Sequence, residues 1–249
     1  MVLSMMQASG DNVPAAAAKA ERMLASGYKK LTAYEVSGGG FEWWGKKPAH
    51  AALTAYGLMQ FADMARVFDV DKEMVARTRT WLLGKRDGKG GFVTGGGRYG
   101  HFMGGSKEAR SAYIAYALLY SGEKKGQMQA EIGLLEKRAQ STENAYELAV
   151  AACALAEAKR PSAALARARL LKLQKKVGSL LGTGSITGSG PRDLRVETTA
   201  FAEQAGTAAR ALADPGDDVE AKDLLVELGP DAQDEAGGSD APPPPASAA

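Results

Sequence analysis

The sequence predicts an all-α fold arranged as an α/α toroid, and three observations carry that expectation. Near-continuous apolar helices alternate with half-polar ones. The passage from a polar helix to its apolar partner is a glycine-rich loop, met three times: Ser37-Gly-Gly-Gly-Phe-Glu-Trp-Trp-Gly45, Asp87-Gly-Lys-Gly-Gly-Phe-Val-Thr-Gly-Gly-Gly-Arg-Tyr-Gly100 and Gly182-Thr-Gly-Ser-Ile-Thr-Gly-Ser-Gly190. The return passages are short, at 69–71, 121–123 and 159–161. This asymmetry collects the long loops at one end of the helices, the end where function is expected.

Pro14 opens the first helix at a position that tolerates proline, and the helix runs from Ala15 to about Tyr34 with an interruption near Gly27. A second helix runs from Pro48 or Ala49 to about Phe68. Leu53, Tyr56, Met59, Phe61, Met64 and Phe68 surround its axis, and a helix apolar all round is buried on several sides. Lys72 to Leu83 differs: Met74, Thr78, Trp81 and Leu82 form one stripe and charges cover the rest, so it is an outer helix. The alternation repeats with 111–120 apolar, about 124–140 amphipathic, about 144–158 apolar, an amphipathic helix from Pro161, and an apolar one from Asp193 to about Ala211. Recurring helix pairs signal a repeat architecture, with the apolar partners inside and the amphipathic ones outside. About four inner helices are expected where a closed toroid usually has six. The ring is therefore incomplete: either something else completes it or the chain is a piece of a longer protein. The expected organisation is an unstructured stretch over 1–13, a partial toroid over 14–212 and an acidic, Pro- and Ala-rich tail over 213–249, disordered by composition.

Composition sets bounds on function. Of 249 residues, 45% are hydrophobic, enough for a substantial core. A net charge of +2 from 31 basic and 29 acidic residues argues against a nucleic-acid or membrane-surface protein. The Lys172–Lys176 cluster reads as a solvated helix face. Cys153 is the only cysteine, so no internal disulfide forms, and its apolar helical surroundings make it a small hydrophobe. The N-terminus has neither a charged region nor an apolar run of signal-peptide length, and no segment reaches the length of a membrane span.

Local motifs add little chemistry. Gly95, Gly97 and Gly100 have dinucleotide-loop spacing without the flanking strand and helix that reading needs. No metal-ligand spacing is present, and no cofactor is expected. A glycosidase on a toroid would use two carboxylates at the loop end. Glu42, Asp87, Glu108, Asp193 and Glu197 are candidates, and nothing in the sequence selects a pair. His50, at a helix start, reads as structural. His101, in a glycine loop, is the candidate base or nucleophile.

At this point the residues resemble a known family. Gly38-Gly-Gly-Phe-Glu-Trp-Trp-Gly45, the phrase from Pro48 to Phe61, Trp81-Leu-Leu83 with Asp87-Gly-Lys-Gly-Gly-Phe92, Ser111-Ala-Tyr-Ile-Ala-Tyr-Ala-Leu118 and Gly184-Ser-Ile-Thr-Gly-Ser-Gly-Pro-Arg-Asp-Leu-Arg-Val-Glu-Thr-Thr-Ala200 are together similar to the thioester-containing domain of alpha-macroglobulins, including bacterial-type and complement-like members. The likeness spans about Pro14 to Phe201. It implies a terpenoid cyclase/protein prenyltransferase-like α/α toroid within a large extracellular or periplasmic endopeptidase inhibitor. The partner it implies is a protease or the remainder of a macroglobulin-like protein.

In that family a Cys-x-Glu-Gln motif forms an internal thioester that acylates an attacking protease. This chain contains no such motif, and Cys153 stands in another element without the glutamine. The expectation is therefore a non-enzymatic binding or structural module. His101 would act in acyl transfer only with a thioester supplied elsewhere. Phe41, Trp43, Trp44, Phe92 and Tyr99 in the glycine loops are the expected binding aromatics. The alternative reading is a toroid enzyme acting on carbohydrate or isoprenoid substrates.

Overall fold

A computed structural model describes residues 14–93 and 105–213, with Leu3 and Met6 before them. The expectations for the rest of 1–13, for Tyr99 and His101, and for the tail beyond 213 lie outside the described residues. The described elements are mostly helical, as the alternating pattern predicts. They are α1 (Pro14–Thr32), a two-stranded antiparallel hairpin of β1 (Glu35–Val36) and β2 (Gly40–Phe41), α2 (Ala51–Met64), α3 (Lys72–Leu83), α4 (Lys107–Tyr120), α5 (Gln129–Ser141), α6 (Ala145–Glu157), α7 (Ser162–Leu173) and α8 (Pro191–Ala213). A 3₁₀ turn at Lys125–Gln127 precedes α5.

Side-chain caps fix the helix starts. Asp71 accepts from the N–H groups of Glu73 (2.8 Å) and Met74 (3.2 Å), Ser106 from Ala109 (2.9 Å), and Asn144 from Tyr146 (3.1 Å). Each satisfies donors that the first turn leaves open. The expected interruption of α1 at Gly27 does not occur. A Cβ there would meet nothing, so the glycine answers no close approach and costs only propensity. The second helix ends at Met64, short of Phe68, and turns at Ala65–Val67 close it.

The helices α2, α4, α6 and α8 pack side by side in chain order, and α3, α5 and α7 lie against them as a second layer. α8, expected to be apolar, is instead amphipathic: Leu194, Thr198, Ala205 and Gly206 are its buried positions over 191–207, because it has a neighbouring inner helix on one side only among the described residues. Twelve of the thirteen residues of α6 are buried, which is why its sequence is apolar all round. Most of the buried hydrophobics form one core between the layers. Phe201 of α8 meets Tyr146 of α6 edge-on at 5.9 Å and reaches past it to Tyr113 and Tyr116 of α4, at 6.3 and 6.4 Å between ring centres. Gln204 donates to the Tyr116 hydroxyl at 2.7 Å from the same side. A smaller core of Phe41, Phe61, Val70 and Met74 lies under the hairpin, and α1 touches it through Tyr28 and Leu31.

One passage breaks the expected rule. The step from polar α5 to apolar α6 is Thr142-Glu143-Asn144, three residues with no glycine. The long loops thus precede α2, α4 and α8 only. A cavity of about 250 Å³ opens beside this short passage, among the first turns of α4 and α6, the α5 flank and the Asp87 turn.

Candidate functional site

The three glycine loops are built differently. In the first, Gly39 has φ +96° and a Cβ there would lie 2.6 Å from the Arg77 carbonyl, so only glycine lets the hairpin close on α3. Phe41 is held by Thr54, whose Oγ1 accepts from its N–H at 2.8 Å, and its ring is buried against Phe61. Glu42 is buried too. Its Oε2 accepts from the N–H groups of Trp44 (2.7 Å) and Lys46 (3.2 Å), so the carboxylate organises the turn that follows it. That turn leaves Trp44 67% exposed and Trp43 40% exposed. Two large rings in solvent on an ordered turn form the most conspicuous aromatic feature of this loop.

The second loop opens on Asp87. Its Oδ1 accepts from the N–H groups of Lys89 (2.8 Å) and Gly91 (2.9 Å), and Lys107 stands 3.6 Å from Oδ2. The backbone donors, and more weakly Lys107, hold this carboxyl below its ordinary range. Phe92 is fully buried, pinned by Ser111, whose Oγ accepts from its N–H at 3.0 Å.

The third loop is fastened by hydroxyls. Ser185, Thr187 and Ser189 alternate along it and hydrogen-bond to one another. Thr187 and Ser189 donate to Glu197 Oε2 at 2.9 and 3.0 Å, while the Tyr146 hydroxyl donates to Oε1 at 2.9 Å. Burial, reinforced by that carboxylate, pushes the Tyr146 hydroxyl far above its ordinary pKa.

The predicted residues are therefore mostly engaged in structure. His50 caps α2: its Nδ1 accepts from the Leu53 N–H at 3.3 Å, and burial, followed by nearby Arg110, lowers its pKa. Glu108 pairs with Arg138 at 2.9 Å. Asp193 is exposed in the first turn of α8, where negative charge is favourable. Cys153 is buried in α6, its thiol donating to the Phe201 carbonyl at 3.2 Å, and burial drives its pKa well above that of an ordinary thiol. Such a thiol is inert, because the thiolate is the nucleophile. Of the five candidate carboxylates, only Asp87 and Glu108 share a cavity, and each faces a cation. Among the described residues no group of three or more His, Cys, Asp or Glu is arranged to hold a metal, and no helix is long and apolar enough to cross a membrane.

Sequence reasoning missed Glu147. It is buried on α6 at the edge of the cavity, with Thr142 donating to Oε2 (3.1 Å) and Arg138 Nε 3.5 Å from Oε1, which makes no hydrogen bond. The available signal was a lone acid in an otherwise apolar run. The hydroxyl alternation at 185–189 was likewise visible, but its acceptor lies on the next helix.

A sequence model of the A-macroglobulin TED domain matches residues 1–182. That match covers nearly three quarters of the chain, including the first two glycine loops and α1 through α7. The chain thus belongs to the thioester-containing domain family of the alpha-2-macroglobulins.

Proposed function

We propose that this chain is a helical binding module of a macroglobulin-type endopeptidase inhibitor, working without thioester chemistry of its own. The observation that carries this reading is the state of sulfur in the chain. Its single cysteine is buried, protonated and hydrogen-bonded to a carbonyl, and no Cys-x-Glu-Gln is present. A thioester needs both an accessible thiolate and its glutamine partner.

The architecture that fits best is part of an α/α toroid. The reach of Phe201 past α6 to α4 supports curvature of the inner row, and four inner helices account for part of a ring. The partner is a protease or the remainder of a larger macroglobulin-like protein, and the setting is extracellular or periplasmic. Trp43 and Trp44 are the contact residues best presented among the described loops, and Tyr99 belongs to the same set by sequence. The enzymatic alternative on carbohydrate or isoprenoid substrates draws less support, because Glu42, Asp87, Glu108 and Glu197 are all occupied by amides, cations or hydroxyls.

Incubating the purified chain with methylamine and measuring intact mass and free thiol tests the central point. The expected result is no incorporation and one thiol that appears only on denaturation. Covalent methylamine at a glutamine with release of a native thiol would overturn it.

A further inference from the structure

We propose that the groove between α5 and α7 docks an acidic amphipathic helix of a partner protein. From Ala158 through Arg192 the chain carries eight basic residues and no acidic one, which the near-neutral total conceals. α5 and α7 run alongside each other in the same direction. Ser162 donates to Glu136 near the start of α7, and Arg169 donates to the Ala139 carbonyl near the end of α5. Their junction is a cavity of about 270 Å³ with Ala139 and Ala166 at its base and Leu165 on its wall, 64% exposed. Two helices with small residues between them leave a furrow that a third helix fits ridge into groove.

The charge lies at one end of that furrow. Arg160 and Arg169 are engaged with Glu136 and Glu143. Lys172 ends α7 in solvent, and Lys175 and Lys176 stand exposed on the tight turn after it, a turn closed by the Lys175 N–H on the Ser179 carbonyl at 2.9 Å. The helix dipole accounts for a cation in the last turn, but its effect falls off within that turn. It does not account for two more beyond the helix, nor for Leu171 and Val177 exposed at 54% and 77% among them. Exposed leucine and valine beside unneutralised lysines make a surface that complements apolar knobs flanked by carboxylates. A concave furrow charged at one end matches a helix better than a lipid surface, which takes a convex apolar stripe with cations along both sides.

The test uses the full chain and a fluorescein-labelled synthetic helix of about 15 residues, long enough to fold on contact, with leucines at i, i+3, i+4 and i+7 and glutamates on its flanks. Anisotropy is expected to show saturable binding that weakens with added salt. Reversing Lys172, Lys175 and Lys176 to Glu should weaken it by about tenfold, the summed effect of exposed charge pairs. Leu165→Asp should weaken it comparably, with the circular dichroism of each variant unchanged. Equal affinity for a scrambled peptide of the same composition, or indifference to both variants, overturns the proposal. So does binding to phosphatidylserine-containing vesicles in place of the peptide.

Discussion

The hydroxyl of Tyr146 on α6 donates to Glu197 on α8 across 2.9 Å, and the same hydroxyl accepts the Ile186 N–H at 3.3 Å. One phenol thus joins two inner helices and the third glycine loop. Tyr146→Phe should lower stability by about 1–2 kcal/mol, since a half-buried carboxylate oxygen and the buried Ile186 amide lose a partner together. Glu197→Gln keeps an acceptor for the phenol and should cost less. Urea unfolding of the two variants measures the order.

His50 gives the fold a pH dependence of definite sign. Its folded pKa lies below the ordinary value of 6.5, so the unfolded chain takes up a proton first as pH falls. Stability is then unaffected by this residue above pH 6.5 and declines progressively below it, down to the folded pKa. Protonation also removes the Nδ1 acceptor that caps α2. His50→Asn retains a capping oxygen without titrating. Thermal melts of wild type and variant between neutral and mildly acidic pH should diverge, with the variant flatter.

Arg138 serves two carboxylates, Glu108 at 2.9 Å and buried Glu147 at 3.5 Å. Removing the cation strands a buried charge, whereas neutralising the acid does not. Arg138→Met should therefore cost about 3 kcal/mol and Glu147→Gln about 1 kcal/mol. Equal costs in chemical denaturation would show that the pairing with Arg138 does not control the stability of this site.

Gly90 has φ +86°, and a Cβ built there overlaps the Ala130 carbonyl on α5. Gly90→Ala meets both backbone strain and a clash with main chain that has little freedom to move. A loss of about 2–4 kcal/mol is expected. Gly88, also at positive φ (+74°) but with open space around it, should lose only about 1 kcal/mol on the same change. Paired melting curves separate the two.

The helices were legible because burial writes itself into composition. α6 is apolar on every side, and α3 and α6 begin where the sequence pattern placed them, after Asp71 and Asn144. α4 begins at Lys107, a turn before the apolar run at 111, because its first turn is polar and the Ser106 cap was not read from the sequence. The loop carboxylates were not legible. Glu42 is taken up by amides two and four residues on, and Glu197 by a tyrosine 51 residues away, and neither arrangement has a period. Phe41 and Phe92 look like their exposed neighbours in sequence, yet their loops fold back and place them in the core. The tight α5–α6 passage escaped notice for the converse reason: it lacks the glycines that drew attention to the others.

The solitary, deeply buried thiol of Cys153 has a practical corollary. Any cysteine introduced on the surface becomes the one addressable sulfur of the native molecule, with no need to remove the wild-type residue and disturb α6. Val177→Cys on the α7 turn and Trp44→Cys on the first glycine loop would each accept a single maleimide dye or spin label. The two surfaces argued to meet partners are thus open to separate, stoichiometric reporting in an otherwise unaltered protein.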